Sequence, residues 1–170
     1  MIRKRWQLFK DGKLARTDLA SLVFEIGHDP LLNEESVQDD LVCLLTDSDP
    51  LVRHNALGAL AYHGLDPDWN SQFGKQLFAA MEKMLLSDDD EDCRRQAAGS
   101  MGSLFKCTSD RKAMARLARV CFNRAESADV KAFAYKSILN IMCVPLKDQP
   151  KLQDSILSPA ELAQIEDLLD

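Results

Sequence analysis

The sequence predicts an all-α protein built as a short α-solenoid of stacked helix pairs, and three observations carry that prediction. A nine-residue pattern recurs along the chain at near-constant spacing. The apolar residues between its copies follow helical periodicity. Aromatics make up only 6% of the residues, and six prolines and seven glycines among 170 residues are too few for the frequent turns of an all-β chain. The length fits a single domain over residues 1–170, with repeats in 15–143, an irregular linker at 144–157 and a capping helix at 158–170.

The clearest copy is Val52-Arg53-His54-Asn55-Ala56-Leu57-Gly58-Ala59-Leu60. Cys93-Arg94-Arg95-Gln96-Ala97-Ala98-Gly99-Ser100-Met101 and Val130-Lys131-Ala132-Phe133-Ala134-Tyr135-Lys136-Ser137-Ile138 repeat it, and Ala15 to Val23 is a fainter fourth copy. Arg16, Arg53, Arg94 and Lys131 are spaced 37, 41 and 37 residues apart, a helix-pair period. Positions 52, 56, 59, 60 and 63 share one side of a helix, where Ala56 and Ala59, like Ala97 and Ser100, admit a close neighbour. Each of the three clear copies follows an amphipathic helix predicted at 34–46, 71–87 or 109–124.

The predicted helix boundaries carry capping chemistry. Asn33 is placed to cap a first turn holding Glu34 and Glu35, and Asp49-Pro50 supplies an N-cap with proline at the first helical position. Ser158-Pro159-Ala160-Glu161 spells a capping box that opens a terminal helix towards Leu169.

The stretch from Asp47 to Leu60 resembles a HEAT repeat, with its acidic turn, Val-Arg pair and alanines. The likeness covers roughly residues 15–143. It implies a short right-handed α-solenoid of three to four helix pairs with a C-terminal capping helix. It also implies a ladder between turn acids and helix-B arginines, assigned here to Asp47 with Arg53 and Asp88 with Arg94. Lys131 departs from the pattern, because Ala125 stands where its acid should be.

Charge is segregated. Residues 1–14 carry +4, which leaves −10 on the rest of a chain whose net charge is −6. An acidic body repels phosphate backbones and favours basic partners. Cys43, Cys93, Cys107, Cys121 and Cys143 form no CxxC pair, so they read as small core filler in a reducing compartment. Met1 to Leu14 contains no apolar signal core, and no run of about 20 apolar residues occurs, which predicts a cytoplasmic protein with no membrane contact.

Catalytic and metal-ligating patterns are absent. Asp88-Asp89-Asp90-Glu91-Asp92 alternates carboxylates like a calcium loop, but Cys93 and Gly99 stand where glycine and a bidentate glutamate are required, so it reads as a solvated helix start. None of His28, His54 and His63 precedes a glutamate, so the His-Glu pairs that mark iron-binding HEAT-repeat hydroxylases are missing. His63 falls on the packing face and reads as a core histidine, while His54 falls opposite. No phosphate-cradling glycine loop is present, and no cofactor is expected.

In HEAT-like solenoids the B helices line the binding face. Half a turn from the packing side lie Thr17, Ala20, Ser21 and Phe24; His54, Leu57, Gly58 and Ala61; Arg95, Ala98, Gly99 and Gly102; and Ala132, Tyr135, Lys136 and Leu139. Within that set Phe24, His54, Leu57, Arg95, Tyr135 and Lys136, together with Trp69 in an acidic turn, are the candidate partner contacts. The expected function is non-enzymatic protein binding, most concretely by a cytoplasmic immunity protein that neutralises a basic bacterial toxin, with the monomer as the favoured state. A general adaptor, similar to the HEAT-like proteins associated with phycobilin lyases, is the alternative. A HEAT-like DNA glycosylase fits less well, because it needs a basic groove for the duplex and no nucleic acid is expected on so acidic a body.

Overall fold

The computed structural model describes residues 1–62, 67–151 and 156–169. All regular structure among them is helical: α1 Ile2–Lys10, α2 Leu19–Ile26, α3 Glu35–Leu44, α4 Pro50–Tyr62, α5 Gln72–Ser87, α6 Glu91–Leu104, α7 Arg111–Phe122, α8 Ala128–Ile141 and α9 Pro159–Ala163, with short 3-10 turns between some of them. Within these residues no helix is long and apolar enough to cross a membrane. The chain divides into two compact units, Met1–Met81 and Glu82–Asp170.

In the first unit α1 packs on α2, and both α2 and α3 pack on α4. Leu22, Ile26, Leu41, Ala56, Leu57 and Leu60 are sealed from solvent here. The α2–α4 approach is close enough that a Cβ on Gly27 would lie 3.2 Å from the Cα of Ala59. Asn55 fastens the same junction by donating from Nδ2 to the Ala20 carbonyl at 2.9 Å.

Helix α1 is absent from the periodicity reading, because its cations obscure its one buried residue, Trp6. Its charge is answered locally: Arg5 binds both oxygens of Glu25, Arg3 meets Glu34 at 2.6 Å and Lys10 meets Asp40 at 3.1 Å. The basic N-terminal stretch is therefore matched to acids on or beside α2 and α3.

In the second unit α8 packs on both α6 and α7, and the last 3-10 turn, Glu166–Leu168, touches α7. Small residues again set the spacing: Ser100 and Ser137 are buried, and a Cβ on Gly102 would lie 2.8 Å from the Cα of Ser137. The terminal helix is shorter than expected. The Ser158 capping box forms, but α9 ends at Ala163 and the chain turns to bury Ile165. The linker is also more ordered than expected in its described part, with a 3-10 turn at Leu146–Asp148 and Gln149 Nε2 donating to Asn140 Oδ1 and the Val144 carbonyl.

The helix starts follow the acidic turns. Asp49, Asp90 and Asp110 accept from Leu51, Cys93 and Ala113 amides, and Ser127 accepts from Val130. The carboxylate run at 88–92 thus serves as a turn and cap, with Asp88 also accepting from the Asp90 amide. Asn33 does not occupy the cap of α3. It closes the 3-10 turn Pro30–Asn33, and Glu34 takes the N-cap position without a side-chain hydrogen bond.

The expected pairs of turn acid and arginine meet, and they do so through the backbone. Arg53 and Arg94 each donate to the backbone carbonyl, six residues back, of Asp47 and Asp88. The carboxylate pairing runs forward to the next acidic turn: Arg16 pairs with Asp47, and Arg94 grips both oxygens of Glu126 at 2.9 and 3.0 Å. Glu126, one residue past Ala125, is the acid of the third copy. Burial pushes its carboxyl up, but hydrogen bonds from Arg94 and the Ser127 amide, with the charges of Arg94 and Lys131, outweigh burial and hold it below the ordinary range.

The cysteines correct the reading of five reduced core residues. Only Cys93 and Cys121 are buried, and burial pushes the Cys121 thiol up to about 12. Cys43 is exposed, and Cys107 and Cys143 form a disulfide with Cα atoms 4.3 Å apart. Cys143 follows α8 in the left-handed conformation at φ 62°, donating to the Asn140 carbonyl while Val144 donates to Leu139. That is a Schellman cap with cysteine where glycine is usual.

Candidate partner-binding face

Helices α6 and α8 each turn one narrow stripe to solvent. On α6 it comprises Asp92, Arg95, Gly99 and Ser103, and on α8 Asp129, Phe133, Lys136 and Asn140. The spacing of three or four residues keeps each set on one helix face. Arg95 is held over the Phe133 ring at 5.6 Å from its centroid and tethered to Asp92 at 2.6 Å. Gly99 leaves the ring uncovered beneath: a Cβ there would lie 3.7 Å from Phe133 Cδ1. Phe133 stays 45% exposed, an aromatic surface flanked by a guanidinium and the exposed Lys136.

Tyr135 and Leu57, two of the expected contacts, do not face solvent. Both side chains are fully buried, and the Tyr135 hydroxyl donates to Gln164 Oε1 at 2.9 Å. Ala20, Ala98, Gly102, Ala132 and Leu139 are buried as well. The cause is steric. Helix α8 packs on both α6 and α7, and α4 on both α2 and α3, so most of the circumference of each is covered. The exposed arc narrows to about one residue per turn, and in α8 it passes through Phe133 rather than Ala132. Phe133 escaped the sequence reading because the period was carried over without that narrowing.

The first unit presents a second stripe. Thr17, Ser21, Phe24 and His28 are exposed along α2 and the turn before it, and His54, Gly58 and Ala61 are half-buried along α4. Phe24 is 59% exposed and lies against His28, ring centroids 5.1 Å apart. The Nδ1 of His54 is buried without a hydrogen-bonding partner. Trp69 is half-exposed, packed edge-on to Phe78 at 6.4 Å, so part of its ring is committed to the fold. His63 lies outside the described residues.

The α6–α8 face gathers charged groups of both signs around one aromatic ring. Its cations and carboxylates are balanced, Arg95 and Lys136 against Asp92 and Asp129, and the aromatic ring is its largest exposed apolar group. Many of the chain's acids are engaged as caps and ladder partners elsewhere. Among the described residues, no group of three or more His, Cys, Asp or Glu side chains is arranged to hold a metal. No protein-family model, curated protein or solved structure matches the chain.

Proposed function

We propose that the chain is a non-enzymatic protein-binding module, a short right-handed α-solenoid of HEAT-like helix pairs, with its contact face on helices α6 and α8 of the second unit. The observation that carries this reading is Phe133, left 45% exposed beside Arg95 and Lys136 on a helix face that the fold does not cover. Aromatic and arginine side chains of this kind are the usual energetic centres of protein interfaces. The most concrete form is a cytoplasmic immunity protein that occludes a cognate basic toxin. In that form the acidic body steers the partner over distance, while Arg95, Phe133 and Lys136 anchor it on contact.

The test is co-expression with the product of the neighbouring gene. The full chain should form a stable complex with it and protect cells from its toxicity. Phe133→Ala should weaken the complex by about 30-fold or more, the size of an interface hot spot, with helicity and melting temperature unchanged. Binding without protection would favour the adaptor reading. Full affinity in both Phe133→Ala and Arg95→Glu would overturn the assignment of this face.

A further inference from the structure

The Cys107–Cys143 disulfide is the one covalent cross-link among the described residues, and its surroundings differ from those of a buried structural staple. Both cysteines are exposed. They line an open cleft of about 530 Å³ with Gly102, Ser103, Lys106 and Leu146. Lys106 places a cation next to Cys107, the environment that favours an attacking thiolate.

Hydrogen bonds that do not involve sulfur hold the same junction. The Cys107 amide donates to the Asn140 carbonyl at 3.1 Å, and the Ser109 amide to Ile141 at 3.0 Å. The loop after α6 thereby caps the end of α8, and the Gly102–Ser137 approach keeps the two helices together below it. The two sulfurs are thus brought together by backbone and packing, which remain when the bond is broken.

We infer that Cys107 and Cys143 form a reversible dithiol–disulfide site, opened by small thiols entering the cleft and closed again without unfolding of the chain. A thiolate attacks one sulfur and forms a mixed disulfide, and the other cysteine leaves as a thiolate and takes a proton. A second thiolate then attacks the small thiol's sulfur in the mixed disulfide, forming a free disulfide, and the protein cysteine leaves as a thiolate and takes a proton. Overall, two thiols are oxidised to a free disulfide and the protein gains two thiols. This assignment does not depend on the identity of any protein partner.

The other three cysteines supply the readout. Cys43 is exposed, whereas Cys93 and Cys121 are buried. The oxidised native protein should therefore take one iodoacetamide adduct by intact mass. After dithiothreitol under native conditions it should take three, at Cys43, Cys107 and Cys143, with helicity by circular dichroism unchanged. Removing the reductant and adding oxidised glutathione before alkylation should leave Cys107 and Cys143 with neither an iodoacetamide nor a glutathione adduct, whichever of the two Cys43 carries. Three adducts without reductant would show that no bond forms. One adduct after reductant would show a bond closed to thiols, and five would show that opening it unfolds the core. An iodoacetamide or glutathione adduct remaining on Cys107 or Cys143 after reoxidation would equally overturn reversibility. In Cys107→Ser, oxidised glutathione should add to Cys143 as a single mixed disulfide, in addition to any at Cys43, and no addition at Cys143 would count against access through the cleft.

Discussion

Glu126 shows what a single residue adds to a repeat. Its carboxylate is 6% exposed and takes two hydrogen bonds from Arg94, whose side chain is 19% exposed. Removing one member of so sheltered a pair leaves the other poorly solvated. Glu126→Gln should therefore cost about 2 kcal/mol in urea denaturation, less than a fully buried pair would. Because the folded carboxyl sits below its ordinary value of 4.5, the pair stabilises fully above that value. The contribution is lost as pH falls through the depressed folded value. The wild-type urea midpoint should accordingly fall faster than that of Glu126→Gln below about pH 4.5. The arginines were legible from their spacing, but the acid was sought at position 125. A recurring spacing marks the more regular partner and leaves a one-residue shift in the turn unseen.

At the scale of the element, helix spacing is governed by what small residues permit. Gly102 belongs to the buried side of α6, although the repeat period put it with the contact residues. Gly102→Ala should destabilise the second unit by about 1–3 kcal/mol through its clash with Ser137. A lower thermal midpoint would register this, and Ser137→Gly in the same chain should recover part of the loss. Helices α3 to α8 were readable because apolar periodicity and turn acids agree on them. Helix α1 was not, because it buries one tryptophan among four cations. The end of α9 was also missed: a capping box marks where a helix begins and says nothing of where Ile165 pulls the chain inward. The Cys107–Cys143 pairing lay beyond sequence spacing, since it depends on α6 and α8 ending side by side.

For the whole molecule, the relevant quantity is net charge. The −10 carried beyond residue 14 is spread over caps, turns and ladder pairs rather than gathered on the α6–α8 face. A basic partner would feel that field over about a Debye length and then meet a face of balanced charge. Its association rate should fall several-fold between about 50 and 300 mM salt, with a smaller change in dissociation rate. Surface plasmon resonance at graded ionic strength separates the two. A dissociation rate rising as steeply as the association rate falls would place the acids in the interface itself.

The narrow exposed arcs of α6 and α8 also bear on how such a chain can change. Arg95, Ser103, Phe133 and Lys136 face solvent about once per turn, while Ala98, Gly102, Ala132 and Tyr135 on the same two helices are buried. Mutations at the first set alter what the surface recognises with little cost to folding, and mutations at the second do the reverse. A handful of codons could then redirect the molecule to a new partner while its core is inherited intact.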